Sequence, residues 1–197
     1  MPKTLSPKEI ADFRDRVCDV GERLFAEHGP EAVTIRQLAS EMGVSAMTPY
    51  RYFKDKDAIL AAVRARAFDR FAQAMEAIDD SDPAQFAYPG QGYVDWALAH
   101  PHAYKLMFDV NQPTFHEYPD LMSAMERARA TMSTGMRDNP LLAGKNIELM
   151  AHAFWASMHG PIMLQLAGLL RPPLDAPTLV ATAVERLIDG FKARPVG

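Results

Sequence analysis

The chain has 197 residues, 48% of them hydrophobic, with a formal net charge of −4 and one cysteine. That length and apolar share suit one large domain or a small domain joined to a larger one; the lone Cys18 excludes an internal disulfide or a cysteine metal cluster and fits a reducing cytoplasm. No run of about 18 apolar residues is present, so no membrane span is expected, and the opening MPKTLSPKEI lacks the apolar stretch of a signal peptide.

The first ordered signal is Ser6-Pro7 with Glu9, a cap, a proline at the first helical position and an acid at the third. Ile10, Phe13, Val17, Val20 and Leu24 follow at steps of three and four, which predicts an amphipathic helix ending at Gly29-Pro30. Thr34 and Gln37 form a second capping box. Ile35, Leu38 and Ala39 then share one face, Met42 follows them, and Gly43 supplies a left-handed stop. Ser45 is placed to cap a short helix over about 46–53. Two helices joined by so tight a turn predict a helix-turn-helix, whose second helix enters the DNA major groove. Pro49 is out of place at the fourth position of that second helix. It removes the first intrahelical hydrogen bond and crowds the Ser45 carbonyl, so either the helix begins later or its first turn is distorted.

The run over residues 44–60, VSAMTPYRYFKDKDAIL, resembles the recognition-helix signature of the TetR family of bacterial transcription regulators. Tyr50, Tyr52 and Phe53 stand where the family has its Tyr-x-His/Tyr-Phe group, and Lys56 where a lysine opens the next helix; Pro49 replaces the usual Leu or Ile. The resemblance implies an all-α fold: a three-helix DNA-binding domain over residues 1–54 and a larger helical ligand-binding and dimerisation domain over 55–197. It implies phosphate contacts from Thr34, Arg36, Tyr52 and Lys56, and groove-facing positions for Ser45, Met47, Thr48 and Tyr50. The side-chain chemistry agrees in part. Met47 and Thr48 suit a thymine methyl, and Ser45 or Thr48 a base edge or phosphate. No Arg, Asn or Gln occupies the first turns, so strong bidentate base readout is not expected there. Phe53 is expected in the core, and Tyr50 stands evenly between packing and groove. Residues 1–60 hold nine Lys/Arg against ten Asp/Glu, so the domain lacks the usual basic footprint. The DNA reading rests instead on the local placement of Arg36, Arg51, Lys54 and Lys56 and on helix N-termini.

Asp55 caps the next predicted helix and Asp57 lies in its first turn. Ile59, Leu60, Val63, Ala67, Phe71, Met75 and Ile78 make it long and one-sided, up to an acidic break at 79–83. An irregular piece, AQFAYPGQGY, precedes a helix over about 92–100. Its Gly90-Gln91-Gly92 is no nucleotide loop, because no strand precedes it and no third glycine follows at the required offset. HPHAYKLMF, together with Trp155, His159 and Gly160, resembles the corner and signature of the TetR C-terminal domain named for its Trp, His and Gly. A loop over 111–119 and a helix over about 120–137 come next. A helix over 146–170 is apolar nearly all round, with Pro161 expected to kink it, and a last helix covers 176–193. The last two helices predict a homodimer interface using Leu164, Val180, Val184, Leu187 and Ile188.

Trp96, Tyr104, Met107, Phe108, Met122, Met125, Phe154, Trp155, Met158 and His159 suit an adaptable effector pocket. With Tyr104 and His159 as the polar handles and no Lys or Arg among them, the effector is expected to be apolar or weakly polar. His152 and His159 are seven residues apart, about 10 Å along one straight helix, too far to share a metal. No catalytic motif spacing occurs, so no catalytic residue, metal or cofactor is expected. The competing reading is a small helical enzyme using His159 or His152 as acid/base. The reading adopted is a cytoplasmic, homodimeric DNA-binding repressor. Its partners are a near-palindromic double-stranded operator and a small-molecule effector.

Overall fold

The structure, a computed structural model, describes residues 6–78, 90–109, 115–137 and 144–193. Among them are eight α-helices and no strand: α1 (Pro7–His28), α2 (Ile35–Glu41), α3 (Lys56–Glu76), α4 (Gln91–Ala99), α5 (Pro101–Met107), α6 (Pro119–Arg137), α7 (Ile147–Leu166) and α8 (Ala176–Ala193). Two 3-10 turns, Pro49–Arg51 and Phe115–Glu117, complete the described elements. The acidic break at 79–83, the irregular piece over 84–89 and residues 111–114 of the 111–119 loop lie outside the described residues. By packing, the chain divides into two compact units, residues 1–69 with 102–125, and residues 70–101 with 126–197. Residues 1–54 lie wholly in the first.

The first unit is built on the stops and starts read from sequence. Ser6 accepts from the Glu9 amide while the Glu9 carboxylate accepts from the Ser6 amide, which tethers the first turn of α1. Thr34 and Gln37 do the same for α2. Asp55 Oδ1 accepts from the Ala58 amide at 2.8 Å at the head of α3. The apolar faces of these helices meet in one core: Val17, Leu24 and Phe25 of α1, Ile35 and Leu38 of α2, Phe53, and Ile59, Leu60 and Val63 of α3. Cys18 belongs to this core, and its burial raises the thiol pKa.

Leu106 of α5 also belongs to that core. Beside it Arg64, a residue of α3 only 1% exposed, donates from Nε to the Leu106 carbonyl at 3.0 Å and from Nη2 to the Met107 carbonyl at 3.3 Å. These are carbonyls at the C-terminal end of α5, where the helix has run out of amides and its dipole favours a cation. Burial pushes the Arg64 pKa down to about 10, with Asp109 acting in the other direction, so the side chain stays charged at neutral pH.

In the second unit α7 packs against α4 and, most extensively, against α8. Asn146 Oδ1 accepts from the Leu149 amide at 3.0 Å at the start of α7, and Pro161 lies inside the helix. The Trp155 indole N–H donates to the Tyr93 hydroxyl at 3.1 Å, tying α7 to α4. Phe71 meets Tyr93 and Trp96 edge-on, each with ring centroids 5.2 Å apart. Gly90 precedes α4 at φ +85°, and a Cβ there would run into the Met158 sulfur, so only glycine fits.

Candidate nucleic-acid interface

The segment after α2 turns on Gly43, at φ +67°. It does not then form the expected α-helix over 46–53. The Thr48 amide bonds to the Ser45 carbonyl at 2.9 Å and the Arg51 amide to the Thr48 carbonyl at 3.1 Å, both three residues apart. Only Pro49–Arg51 are regular, as a 3-10 turn. The physical reason is Pro49. It has no amide to offer the Ser45 carbonyl, so that oxygen is satisfied by Thr48 instead. Of the two possibilities left open by the sequence, the regular turn begins late. The Pro49 carbonyl accepts from the amides of both Tyr52 and Phe53, at 2.9 and 3.0 Å. Ser45 makes no helix cap; its hydroxyl lies 2.9 Å from the Thr48 hydroxyl.

The turn is held from behind. Pro49 and Phe53 are buried. The Tyr52 ring stacks on Phe13 of α1 at 4.1 Å between centroids. Arg14 donates to the Tyr52 carbonyl at 2.7 Å and lies over the Phe53 ring at 4.3 Å. Lys56 donates to the Pro30 carbonyl at 2.7 Å, which ties the head of α3 to the start of the α1–α2 connection. Arg14 was not singled out by sequence reading. Its only signal is its place next to Phe13 on the stripe that backs the motif.

The outer side is different. Met47 is 70% exposed and Tyr50 is 50% exposed. Ser45, Thr34, Arg36, Arg51 and Lys54 are exposed, Thr48 half-buried. The eight residues expected at DNA thus fall into two groups. Thr34, Arg36, Ser45, Met47, Thr48 and Tyr50 present groups to solvent around the turn. Tyr52 and Lys56 are engaged in holding it, although the Lys56 ammonium still adds positive charge there. The arrangement offers apolar side chains, hydroxyls and exposed guanidinium and ammonium groups on one rigidly backed projection.

The ten residues expected at an effector pocket divide between the two units. Trp96, Phe154, Trp155, Met158 and His159 lie in the second, Tyr104, Met107, Phe108, Met122 and Met125 in the first. Tyr104 and Met107 are buried, whereas Met122 is 42% exposed. Two cavities of the first unit, about 170 Å³ beside Arg14, Phe53 and Tyr118 and about 380 Å³ beside Cys18, Arg66 and Ser123, are lined by none of the ten. His159 is half-buried, and burial lowers its pKa. His152 is exposed, with Nδ1 2.8 Å from the Glu148 carbonyl one turn back on its own helix.

Two of the five residues expected at a subunit interface, Val180 and Val184, are 0% and 1% exposed within the single chain, on the face of α8 that the chain itself covers. Leu164 remains 42% exposed, and Leu187 and Ile188 are half-buried.

Residues 17–63 match the family model described as bacterial regulatory proteins, tetR family, and residues 86–189 match one described as tetracyclin repressor-like, C-terminal domain. An HTH-type transcriptional regulator of Staphylococcus aureus (strain USA300) is 33% identical over 73 residues, 37% of this chain and 40% of that protein. The chain thus spans well under half the length of that curated relative. Among solved structures, FadR from Bacillus subtilis in complex with stearoyl-CoA superposes with a TM-score of 0.66 at 15% identity, over 89% of this chain and 98% of that one. SmeT, the repressor of the Stenotrophomonas maltophilia multidrug efflux pump SmeDEF, superposes with a TM-score of 0.61 at 18% identity, over 90% and 89%. At those identities the two structures establish the fold.

Proposed function

Since this chain belongs to the tetR family of bacterial regulatory proteins, we propose that it is a transcriptional repressor that binds a near-palindromic operator as a homodimer. An apolar or weakly polar small molecule releases it. The observation that carries the reading is the projecting turn over 45–52. It is anchored by Phe13, Arg14 and Phe53 and shows Met47, Tyr50 and exposed cations to solvent. Residues 1–54 bind the operator, and residues 55–197 dimerise and take the effector. The protein acts in the cytoplasm, where the chromosome is.

Dimerisation is supported by α7 and the chain just after it. Leu149, Leu164, Leu169 and Leu174 are 48%, 42%, 67% and 50% exposed in the single chain, an apolar surface that a second copy would cover. The effector reading is supported by the aromatic and Met content of the second unit and by the uncharged character of Trp96, Phe154, Trp155, Met158 and His159. A relative in fold that holds stearoyl-CoA makes acyl compounds sensible first candidates. Such a ligand releases DNA only if it prefers a conformation with the two reading turns wrongly spaced.

A gel-shift on duplex DNA from upstream of the protein's own gene tests the reading. Affinity should fall steeply with salt, and one near-palindrome should be preferred over random duplex. Salt-insensitive binding, or no preference among sequences, refutes it. A thermal-shift screen of aromatic and acyl compounds followed by the same gel-shift tests the effector. A compound that stabilises the protein and leaves DNA binding unchanged refutes the coupling.

A further inference from the structure

We propose that this chain reads its operator chiefly through thymine methyl groups, with Met47 as the main reader and Tyr50 as the second. The inference rests on the DNA-binding reading above and names what that site recognises.

The argument starts from what the turn offers. Met47, at 70% exposure, carries its thioether into solvent from a turn whose backbone is fixed by the Ser45–Thr48 and Pro49–Phe53 hydrogen bonds. Tyr50, 50% exposed, stands three residues on. The stretch from Val44 to Tyr50 contains no Arg, Lys, Asn, Gln, Asp or Glu. The side chains that read guanine or adenine by paired hydrogen bonds, or accept from cytosine, are therefore missing between Val44 and Tyr50, and the first such group is Arg51 at the end of the turn. Of the three hydroxyls in the stretch, those of Ser45 and Thr48 lie 2.9 Å apart and bond to each other, and the third is the tip of Tyr50, whose ring is the larger surface. What is left to discriminate between base pairs is apolar surface. The major groove presents one apolar feature, the C5 methyl of thymine.

Charge settles which surface the apolar pair meets. Arg36, Arg51 and Lys54 are exposed around it. Lys54 has a carboxylate, Asp55, no nearer than 3.9 Å. An apolar tip with exposed cations before and after it in the chain suits a groove walled by phosphates, with the cations on the backbone and the tip on the base edges. Methionine also suits the task mechanically. It is unbranched and polarizable, and it can settle against a methyl whose position varies slightly between sequences.

The test begins with selection of duplexes from a random-sequence library by the full chain. Each thymine of the selected half-site is then replaced in turn by deoxyuridine, which removes the methyl and leaves pairing intact. At one position per half-site the replacement should weaken binding about fourfold, and about fifteenfold when made in both halves, from the usual contribution of one buried methyl. Met47→Ala should bind thymine and uracil duplexes alike at that position, with an unchanged salt dependence. Met47→Leu should restore part of the discrimination. Equal binding of thymine and uracil duplexes by the wild type overturns the inference and leaves the regulator reading intact. So do selected half-sites that hold no fixed thymine. A methyl preference that survives in both Met47→Ala and Tyr50→Ala overturns the assignment to these residues. Failure to enrich any sequence overturns the regulator reading and this inference with it.

Discussion

Replacing Arg64 by methionine isolates the role of one buried cation. Arg64 is 1% exposed, and its guanidinium donates to the Leu106 and Met107 carbonyls at 3.0 and 3.3 Å. Hydrogen bonds from a charged group contribute about 1.5–3 kcal/mol each, so losing both costs about 3–6 kcal/mol. Methionine keeps much of the volume, and the variant no longer has to strip water from a charge, a cost visible in the pKa held down to about 10. That second effect offsets part of the first, and the net loss should be about 2–4 kcal/mol. Urea unfolding at fixed protomer concentration should show a midpoint lower by about 1–2 M, with the slope unchanged. Arg64→Lys keeps the charge without the fork and should fall between the two. A stability of Arg64→Met within about 0.5 kcal/mol of wild type would refute the view that this side chain caps α5.

Gly90→Ala should destabilise by about 2–4 kcal/mol in a melt, since it combines a left-handed backbone with a Cβ in the place of the Met158 sulfur. Leu187→Glu should convert the dimer to monomer in light scattering at micromolar concentration, and a wild type already monomeric there would remove the basis for it. Burial holds the His159 pKa below the ordinary 6.5, so the unfolded chain takes up its proton first as pH falls. The His159 contribution to stability should therefore be complete above about pH 6.5 and decline below it, and His159→Gln should flatten that part of the profile.

Most of the fold was legible because its signals are local. Both capping boxes, the Asp55 cap and the Gly43 stop each depend on residues within a turn of one another, so spacing alone revealed them. The apolar stripe of α1 fell where the core lies for the same reason. Pro49 announced a disturbed recognition helix, but choosing between a late start and a bent first turn needed the alternative partner of the Ser45 carbonyl. The long-range polar contacts were not legible. Arg14 and Arg64 each bond to carbonyls dozens of residues away, and no periodicity marks an arginine that will be buried. Val180 and Val184 show a related limit. An apolar stripe states that a face is covered, and leaves open whether the same chain or a second one covers it.

The late start at Pro49 has a consequence for how this protein can change its target. Residues 45–48 project from a turn, so helix propensity does not constrain them, and the core places no demand on a side chain as exposed as Met47. Pro49 and Phe53, which fix the direction of the projection, are sealed beneath it. Mutations that alter reading and mutations that threaten folding therefore fall on different residues. A lineage could exchange Met47 and its neighbours one at a time, drifting from one operator to another while every intermediate still folds.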